Sequence, residues 1–211
     1  MFSTANTNRR FMAYLNDYSV RVTGGMEDGS GYVLLPHGDT YGLCLRNSHD
    51  NRCDARVEID GKHQGTWRIN ANGSITIDRP AHDDGLFTFY KANSAEGSQI
   101  GLEVGDSNLG LVKVTFTPEK TRSFESGWGG VVQGRAGGAS AYSDGSKGLG
   151  SRGFSAGGTG LSGQSSQQFG TAAEMDLDYS KSTTIHLRLV VRNNEPRPLT
   201  SYSNQVPPPI R

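Results

Sequence analysis

Hydrophobic and polar positions alternate along much of residues 18–118, as is typical of β-strands that are half buried against a core. The clearest run extends from Tyr41 to Ile77 and consists of four short alternating segments separated by three turn sequences. The segments are 41–46, 52–59, 66–69 and 74–77, and the turns are Asn47-Ser-His-Asp50, Asp60-Gly61 and Asn72-Gly73. Asp-Gly and Asn-Gly accept the positive φ angles of tight hairpins. The run therefore predicts an antiparallel meander.

Alternation predicts further strands on both sides of this meander, at residues 18–23, 31–36, 86–90 and 109–117. Pro36 cannot donate to a ladder, so its strand should end there or lie on an edge. About eight strands at a spacing of about 8–12 residues favour an all-β fold, an antiparallel β-sandwich of jelly-roll-like form, over residues 17–120. The aromatic residues expected in its core are Trp67, Phe87, Phe89 and Phe116.

Residues 1–16 are polar and irregular, and they form a predicted N-terminal arm. Four larger apolar residues lie close together in this arm: Phe11, Met12, Tyr14 and Leu15. The arm is either a frayed terminus or a segment that becomes ordered only against a partner, with these four side chains as anchors. The sequence leaves both interpretations open.

Residues 121–180 are rich in glycine and serine, and the 29 glycines of the chain are about twice the usual share of roughly 7%. Such a segment cannot bury enough apolar surface to form a domain alone, because ordering each residue costs about 1–2 kcal/mol. We therefore expect an irregular extension that becomes ordered against a neighbour in the same or another chain. Its candidate anchors are Trp128, Tyr142, Phe154 and Phe169.

Alternation returns at residues 181–193, where Ile185, Leu187, Leu189 and Val191 share one face of a predicted strand. This late strand either rejoins the amino-terminal sheet or adds to a neighbouring subunit. The remaining residues, 194–211, form a proline-rich tail that we expect to be extended.

Charge excludes some classes of function. The chain has 21 basic and 21 acidic residues, so it lacks the basic excess with which proteins neutralise phosphates, and we expect no nucleic-acid partner. No apolar run approaches the roughly 20 residues that span a bilayer, and we expect no membrane partner. The first residues lack the charged-then-apolar order of a signal peptide, which predicts a soluble protein that is not exported by the usual route.

Cys44 and Cys53 are the only cysteines, and they lie on the two arms of the first predicted hairpin. If the loop is Asn47 to Asp50, they are directly opposite, where Cβ atoms approach within about 4.5–5.5 Å and a disulfide is geometrically allowed. Small buried thiols are also common in cores, and a reducing compartment favours free cysteines.

One string in the sequence looks catalytic. Gly153-Phe-Ser-Ala-Gly157 matches the nucleophile elbow of hydrolases, which needs a hydrophobic strand before the serine and a helix after it. Glycine-rich sequence flanks Ser155 on both sides, so we do not expect a nucleophile. The five histidines show no metal-ligand spacing. We expect no enzymatic activity, cofactor or metal.

Four strings together resemble structural proteins of tailed bacteriophages and some large DNA viruses. They are Gly65-Thr-Trp-Arg-Ile69, Ile77-Asp-Arg-Pro80, Phe87-Thr-Phe-Tyr90 and Gly158-Thr-Gly-Leu-Ser-Gly-Gln-Ser-Ser-Gln-Gln-Phe169. The resemblance spans roughly residues 18–192. It implies a virion component with a β-sandwich, and it transfers no catalytic residues.

The sequence thus leads to the hypothesis of a non-enzymatic virion protein that is assembled in the host cytoplasm. It would decorate the capsid or connect fibre or tail components, and its partners would be other copies of itself and other virion proteins. The alternative is a carbohydrate- or host-surface-binding module. That alternative requires exposed aromatic residues clustered on one face of a sheet.

Overall fold

The computed structural model describes residues 13–28, 30–121 and 154–192, and these form an all-β fold. The strands are β1 (Ala13–Leu15), β2 (Tyr18–Thr23), β3 (Met26–Glu27), β4 (Tyr32–Leu34), β5 (Gly42–Asn47), β6 (Cys53–Ile59), β7 (Lys62–Ile69), β8 (Ser74–Ile77), β9 (Leu86–Lys91), β10 (Leu111–Pro118), β11 (Phe154–Ser162) and β12 (Thr183–Arg192). The short helix α1 covers Ala95–Gln99, and a 3₁₀ helix covers Tyr179–Lys181.

The strands form two sheets that enclose one hydrophobic core. The first sheet has the order β1-β2-β5-β8. The second has the order β3-β4-β12-β10-β6-β7, and β11 joins it by pairing with both β12 and β9. The predicted sandwich is confirmed. The expectation that all strands are antiparallel is wrong at β4 and β12, which pair in parallel, and the jelly-roll form is not confirmed.

The core is built from the inward positions that the alternation identifies. Trp67 is 7% exposed, and Phe87, Phe89 and Phe116 are fully buried, so the predicted core aromatics are confirmed. Each such side chain contributes about 1.5–3 kcal/mol through burial. The core cluster includes residues from strands of both sheets, so the two sheets stabilise each other.

The predicted meander has the right strands and mostly the wrong pairing. Only Asp60-Gly61 makes a hairpin, with φ angles of 51° and 72° between β6 and β7. β5 and β6 belong to different sheets, and so do β7 and β8. Asn72 does adopt a positive φ of 53°. A turn residue determines only where the chain reverses direction and not which strands then pair. β5 accordingly pairs with β2 and β8.

The two cysteines are therefore not cross-strand neighbours. Cys44 on β5 pairs with Arg21 and Thr76, whereas Cys53 on β6 pairs with Ile69 and Pro118. Both are free cysteines. Burial raises the pKa of the Cys53 thiol to about 12, with Asp54 adding to the effect. Cys53 is accordingly protonated at neutral pH.

Part of the predicted arm is regular. Residues 13–15 form β1 at the edge of the first sheet, instead of the irregular chain expected there. Asn16 and Asp17 adopt φ angles of 47° and 61°, so they make a two-residue turn into β2. The local cause is this Asn-Asp pair, which tolerates left-handed backbone conformations.

Part of the glycine-rich segment, residues 154–162, is also a strand, contrary to the expected irregular extension. Along β11, residues 154–156 pair with β12 and residues 157–162 pair with β9. A Cβ at Gly157 would lie 2.4 Å from the Phe89 ring and 2.6 Å from the Tyr90 carbonyl oxygen. Glycine is required here because strand and core approach so closely.

The late strand β12 rejoins the amino-terminal sheet of the same chain. It lies between β4 and β10, and β10 pairs with β6 on its other side. Predicted boundaries at residues 120 and 180 therefore do not separate structural units. The sandwich includes β1, β11 and β12 as well as the strands between residues 17 and 120.

Residues 163–178, here called the strap, cross irregularly from β11 to the end of β10. Near its start, Arg79 donates to the Gln167 carbonyl oxygen from Nε at 3.1 Å and from Nη2 at 2.8 Å. The Phe169 ring packs on Trp67 and lies 4.3 Å from the Arg79 guanidinium. Near its end, Lys120 N donates to the Asp176 carbonyl oxygen at 2.8 Å. The strap is thus ordered in cis.

Candidate binding cleft

An open polar cleft of about 500 Å³ lies at one end of the sandwich. Its walls come from the β1–β2 turn, the β5–β6 loop, the end of β10 and the chain that leads from the 3₁₀ helix into β12. The lining residues are Asn16, Tyr18, His49, Asn51, Pro118, Glu119, Thr121, Ser180, Lys181, Ser182 and Thr183. The volume falls in the range of about 300–1,000 Å³ that small-molecule sites occupy.

A buried asparagine holds the β5–β6 loop in place at the cleft. Asn47 is fully buried, and its side chain donates to the carbonyl oxygens of Asn51 at 2.8 Å and Asn70 at 3.1 Å. Its Oδ1 accepts from the His49 backbone N–H at 3.0 Å. With all these bonds made inside the protein, Asn47 fixes the loop that carries His49 and Asn51.

Tyr18 forms part of the cleft floor. Its ring stacks on Phe116 with centroids 4.6 Å apart, and it meets the His49 ring at the same distance. Tyr18 is 2% exposed, and its hydroxyl has no hydrogen-bond partner among the described residues. Burial raises the pKa of Tyr18 to about 12. The hydroxyl is therefore protonated at neutral pH and able to donate.

The charged side chains at the cleft have partners of opposite charge within the chain. Glu119 accepts two bonds from Arg52, at 2.9 and 2.6 Å, and Lys181 lies 3.2 Å from Asp178. The His49 ring Nε2 lies 2.8 Å from the Asn16 carbonyl oxygen. The Lys181 side chain is 68% exposed, so its ion pair lies at the surface. Most of the other groups that line the cleft are hydroxyls and amides, which can donate and accept hydrogen bonds.

Amide and hydroxyl side chains also connect the cleft walls. Asn16 Nδ2 donates to Thr183 Oγ1 at 3.2 Å, and Asn51 Nδ2 donates to Thr121 Oγ1 at 3.1 Å. These bonds join the β1–β2 turn to β12, and the β5–β6 loop to the end of β10. Both hydroxyls retain lone pairs, and both amide oxygens are acceptors. The cleft is therefore preformed and offers several donors and acceptors.

The predicted anchor residues have different outcomes. Tyr14 and Leu15 are 59% and 44% exposed on β1, while Phe154 begins β11 with its ring 6.3 Å from Tyr32. Phe169 is the anchor of the strap and contacts Trp67 in the same chain. The other four, Phe11, Met12, Trp128 and Tyr142, lie outside the described residues.

Ser155 does not lie at a nucleophile elbow. It is in the regular part of β11, opposite Val191 of β12, and the strand continues to Ser162 without a helix after the serine. In the described part of the chain, no group of three or more His, Cys, Asp or Glu residues is arranged to hold a metal ion.

The outward face of the second sheet is polar. Registered neighbours across β6, β10 and β12 are Glu58, Lys113 and His186 in one row, and Arg56, Thr115 and Thr184 in the next. These rows contain no aromatic residue, so the sheet-face platform required by the carbohydrate alternative is not found there. Burial, with Lys113 adding to it, lowers the pKa of His186.

The cleft residues are not evident from the sequence, because they come from four separate parts of the chain. Asn16-Asp17 was the available local signal, since a pair of turn residues between Leu15 and Tyr18 is typical of a hairpin. That signal would have placed Asn16 and Tyr18 at the end of a sheet. It would not have brought His49 or Ser180 to them.

Comparison with protein-family models, with curated proteins and with solved structures finds no match to this chain. Among the described residues, no helix has the length and apolar character needed to cross a membrane.

Proposed function

We propose that the chain is a non-enzymatic structural protein of a virus particle, decorating the capsid or connecting fibre or tail components. The sandwich serves as a rigid body, and neighbouring copies or other virion proteins contact the edge of its first sheet. Assembly takes place in the host cytoplasm. The proposal rests on the resemblance of the sequence to virion proteins and on one structural observation at β1.

That observation is the edge strand β1 and its exposed side chains. β1 pairs with β2, no second described strand is hydrogen-bonded to it, and β12 of the second sheet lies close to it. Tyr14 is 59% exposed and Leu15 is 44% exposed on this strand. Free strand edges accept a strand from another chain, and apolar side chains on the edge add specificity to the contact. The edge therefore suits assembly.

The rigidity of the body supports the same proposal. The Asp60 carboxylate accepts backbone N–H bonds from Gly110 and Thr159, both at 2.6 Å. It thereby joins the β6–β7 turn to the start of β10 and to β11. Burial raises the pKa of Asp60 to about 6, while the two N–H donors act in the opposite direction.

The strings that carry the resemblance also meet in space. The side chain of Arg79, from Ile77-Asp-Arg-Pro80, contacts the ring of Phe169, the last residue of the glycine-rich string. Trp67, from Gly65-Thr-Trp-Arg-Ile69, packs on the same Phe169 ring. Three strings that are distant in sequence thus form one cluster, which supports treating them as a single structural signature.

The test compares incorporation of variants into assembled particles. Leu15→Glu places a charge on the β1 edge, and we expect at least a tenfold loss of incorporation. Met26→Glu is the matched control, because Met26 is 68% exposed on β3 at the edge of the second sheet. Both isolated variants should keep the circular dichroism spectrum of the parent chain. Equal incorporation of the Leu15→Glu and Met26→Glu variants would contradict the proposal.

A second readout is hydrogen exchange of residues 13–15 in the free chain and in the particle. We expect slower exchange of these amides in the particle and little change in β10, which is paired on both sides. Exchange of residues 13–15 at the same rate in both states would exclude the β1 edge as the contact.

A further inference from the structure

We propose that the strap blocks a second strand-binding edge, at β8, which would otherwise accept strand β1 of another copy of the chain. The first sheet has the order β1-β2-β5-β8, so β1 and β8 are its two edges. Pairing of β8 with β1 of a second copy would extend the sheet without closing it, because the two surfaces differ. The inference shares with the proposed function the premise that the β1 edge accepts a strand, but it does not depend on a role in a virus particle.

The side chain of Gln167 occupies hydrogen-bonding groups of the β8 edge. Its Nε2 donates to the Thr76 carbonyl oxygen at 2.8 Å, and its Oε1 accepts from the Asp78 N–H at 3.1 Å. A side-chain amide has the donor and the acceptor of a peptide group, so it makes the bonds that a neighbouring strand would make. Among the described strands, β8 pairs with β5 alone. The strap therefore takes the place of a second neighbour of β8.

Contacts on both sides of this amide hold the strap against the sandwich. Arg79 donates twice to the Gln167 carbonyl oxygen, and the Phe169 ring packs on Trp67. An incoming strand has to displace the strap before it can reach β8. Covering an edge with a loop is one of the ways in which proteins prevent their sheets from pairing with other chains.

Strand β1 has the direction and the side-chain pattern that the β8 edge requires. Every neighbouring pair in the first sheet is antiparallel, so β1 of a second copy placed beside β8 continues the same order. Leu15 pairs with Tyr18 and Ile75 pairs with Leu45, which puts Leu15 and Ile75 on the inward face. The apolar residues of the two edges would thus meet on one face, as in other cases of strand addition.

The test starts with the full-length double variant Gln167→Ala, Phe169→Ala, which removes the amide and the ring that hold the strap. We expect open chains of this variant in solution. Its weight-average mass in sedimentation should rise with concentration to more than about twice that of the parent chain. Gln168→Ala is the matched control, because Gln168 is an exposed amide in the same strap, and it should keep the mass of the parent.

A substitution at each edge then identifies the two surfaces. The Thr76 carbonyl oxygen faces the strap, and in an antiparallel strand the N–H of the same residue points the same way. Thr76→Pro therefore removes an edge donor without breaking the ladder to β5, and it should return the double variant to the mass of the parent. Leu15→Glu should do the same from the β1 side, because an inward-pointing charge prevents edge pairing.

A mixing experiment tests whether the contact joins unlike edges. The double variant that also contains Leu15→Glu has an open β8 edge and a blocked β1 edge, whereas the parent chain has the reverse. Each alone should keep the mass of the parent. Together they should form a complex of one copy of each, with about twice the mass and no larger species.

Three results would overturn the inference. They are a double variant that keeps the circular dichroism spectrum and the mass of the parent, association that neither Thr76→Pro nor Leu15→Glu reduces, and a mixture that forms no complex. If the double variant loses the spectrum of the parent, the single variant Gln167→Ala decides, because it keeps the Phe169 anchor. It should have a higher mass than Gln168→Ala, and equal masses would overturn the inference.

Failure here is distinguishable from failure of the proposed function. Incorporation into particles is measured with the β8 edge covered and responds to the β1 edge, whereas Thr76→Pro reports on β8 in solution.

Discussion

Arg79→Lys tests whether one buried guanidinium fixes the strap to the sandwich. The Arg79 side chain is 8% exposed. It donates to three carbonyl oxygens, those of Gln167, Pro80 and Asp83, at 2.8–3.1 Å. It also lies 3.2 Å from the Asp84 carboxylate. Lysine keeps the charge, but its single ammonium cannot reproduce the planar fork that reaches these oxygens on several sides.

The magnitude follows from the bonds that are lost. A hydrogen bond to a charged group contributes about 1.5–3 kcal/mol, and lysine should lose two of the three carbonyl partners. Because the partners are neighbours, their contributions are not additive. We expect a loss of about 3–5 kcal/mol in the free energy of unfolding. With a urea dependence of about 1–3 kcal/mol per molar, the midpoint should fall by at least about 1 M.

The assay is urea unfolding, combined with hydrogen exchange of the Ser165 amide, which donates to the Asp84 carbonyl oxygen at 2.8 Å. Local release of the strap would accelerate this exchange before the sheets unfold. Arg56→Lys is the matched control, because the side chain of Arg56 is 58% exposed and pairs with Glu58 at the surface. It should cost at most about 0.5 kcal/mol. Indistinguishable midpoints for the two variants would refute the reasoning.

Three further predictions concern the core, the strand β11 and pH. Tyr41→Phe should lower the free energy of unfolding by about 1 kcal/mol, because it breaks the 2.7 Å hydrogen bond to Thr159 Oγ1. Tyr18→Phe should not lower it, because the Tyr18 hydroxyl has no hydrogen-bond partner among the described residues. Thermal denaturation compares the two variants, and an equal loss of stability for both would contradict the prediction. Gly157→Ala should lower the free energy of unfolding by about 1–3 kcal/mol through overpacking. At Gly170 an added Cβ would meet nothing within 4 Å, so Gly170→Ala should leave the free energy of unfolding nearly unchanged. Chemical denaturation measures both, and similar values would count against the close packing of β11. Burial raises the pKa of Glu27 to about 7 in the folded chain. The stabilising contribution of Glu27 is therefore complete below its unfolded pKa of about 4.3 and is lost as pH rises through about 7. The stability of the Glu27→Gln variant relative to the parent chain should accordingly increase between pH 5 and pH 8, and a constant difference would exclude the effect.

Local patterns were enough to identify most strands. β2 was predicted with its observed limits, and β12 lies within the predicted late strand, because alternating residues such as Ile185 and Leu187 face one continuous core. Asp60-Gly61 also specified its hairpin, since the two positive φ angles are a local requirement. These features depend on neighbours in sequence, and sequence contains that information directly.

Pairing between distant strands could not be predicted in the same way. Asn72-Gly73 has the backbone of a turn, yet β8 pairs with β5 and not with β7, because the choice depends on edges formed elsewhere. Composition misled at β11, where glycine serves close packing against Phe89 and not irregularity. The cleft combines Tyr18, His49 and Ser180, which no local pattern connects.

The central position of β12 affects synthesis of the protein. During translation, β4 and β10 leave the ribosome long before residues 183–192. Until β12 is made, the strand edges of β4 and β10 that will pair with it have no partner there. Contacts this distant in sequence are slow to form, and exposed edges promote aggregation in the meantime. Completion of the second sheet therefore has to wait for the synthesis of β12, which would make yield sensitive to chaperones and to temperature during expression.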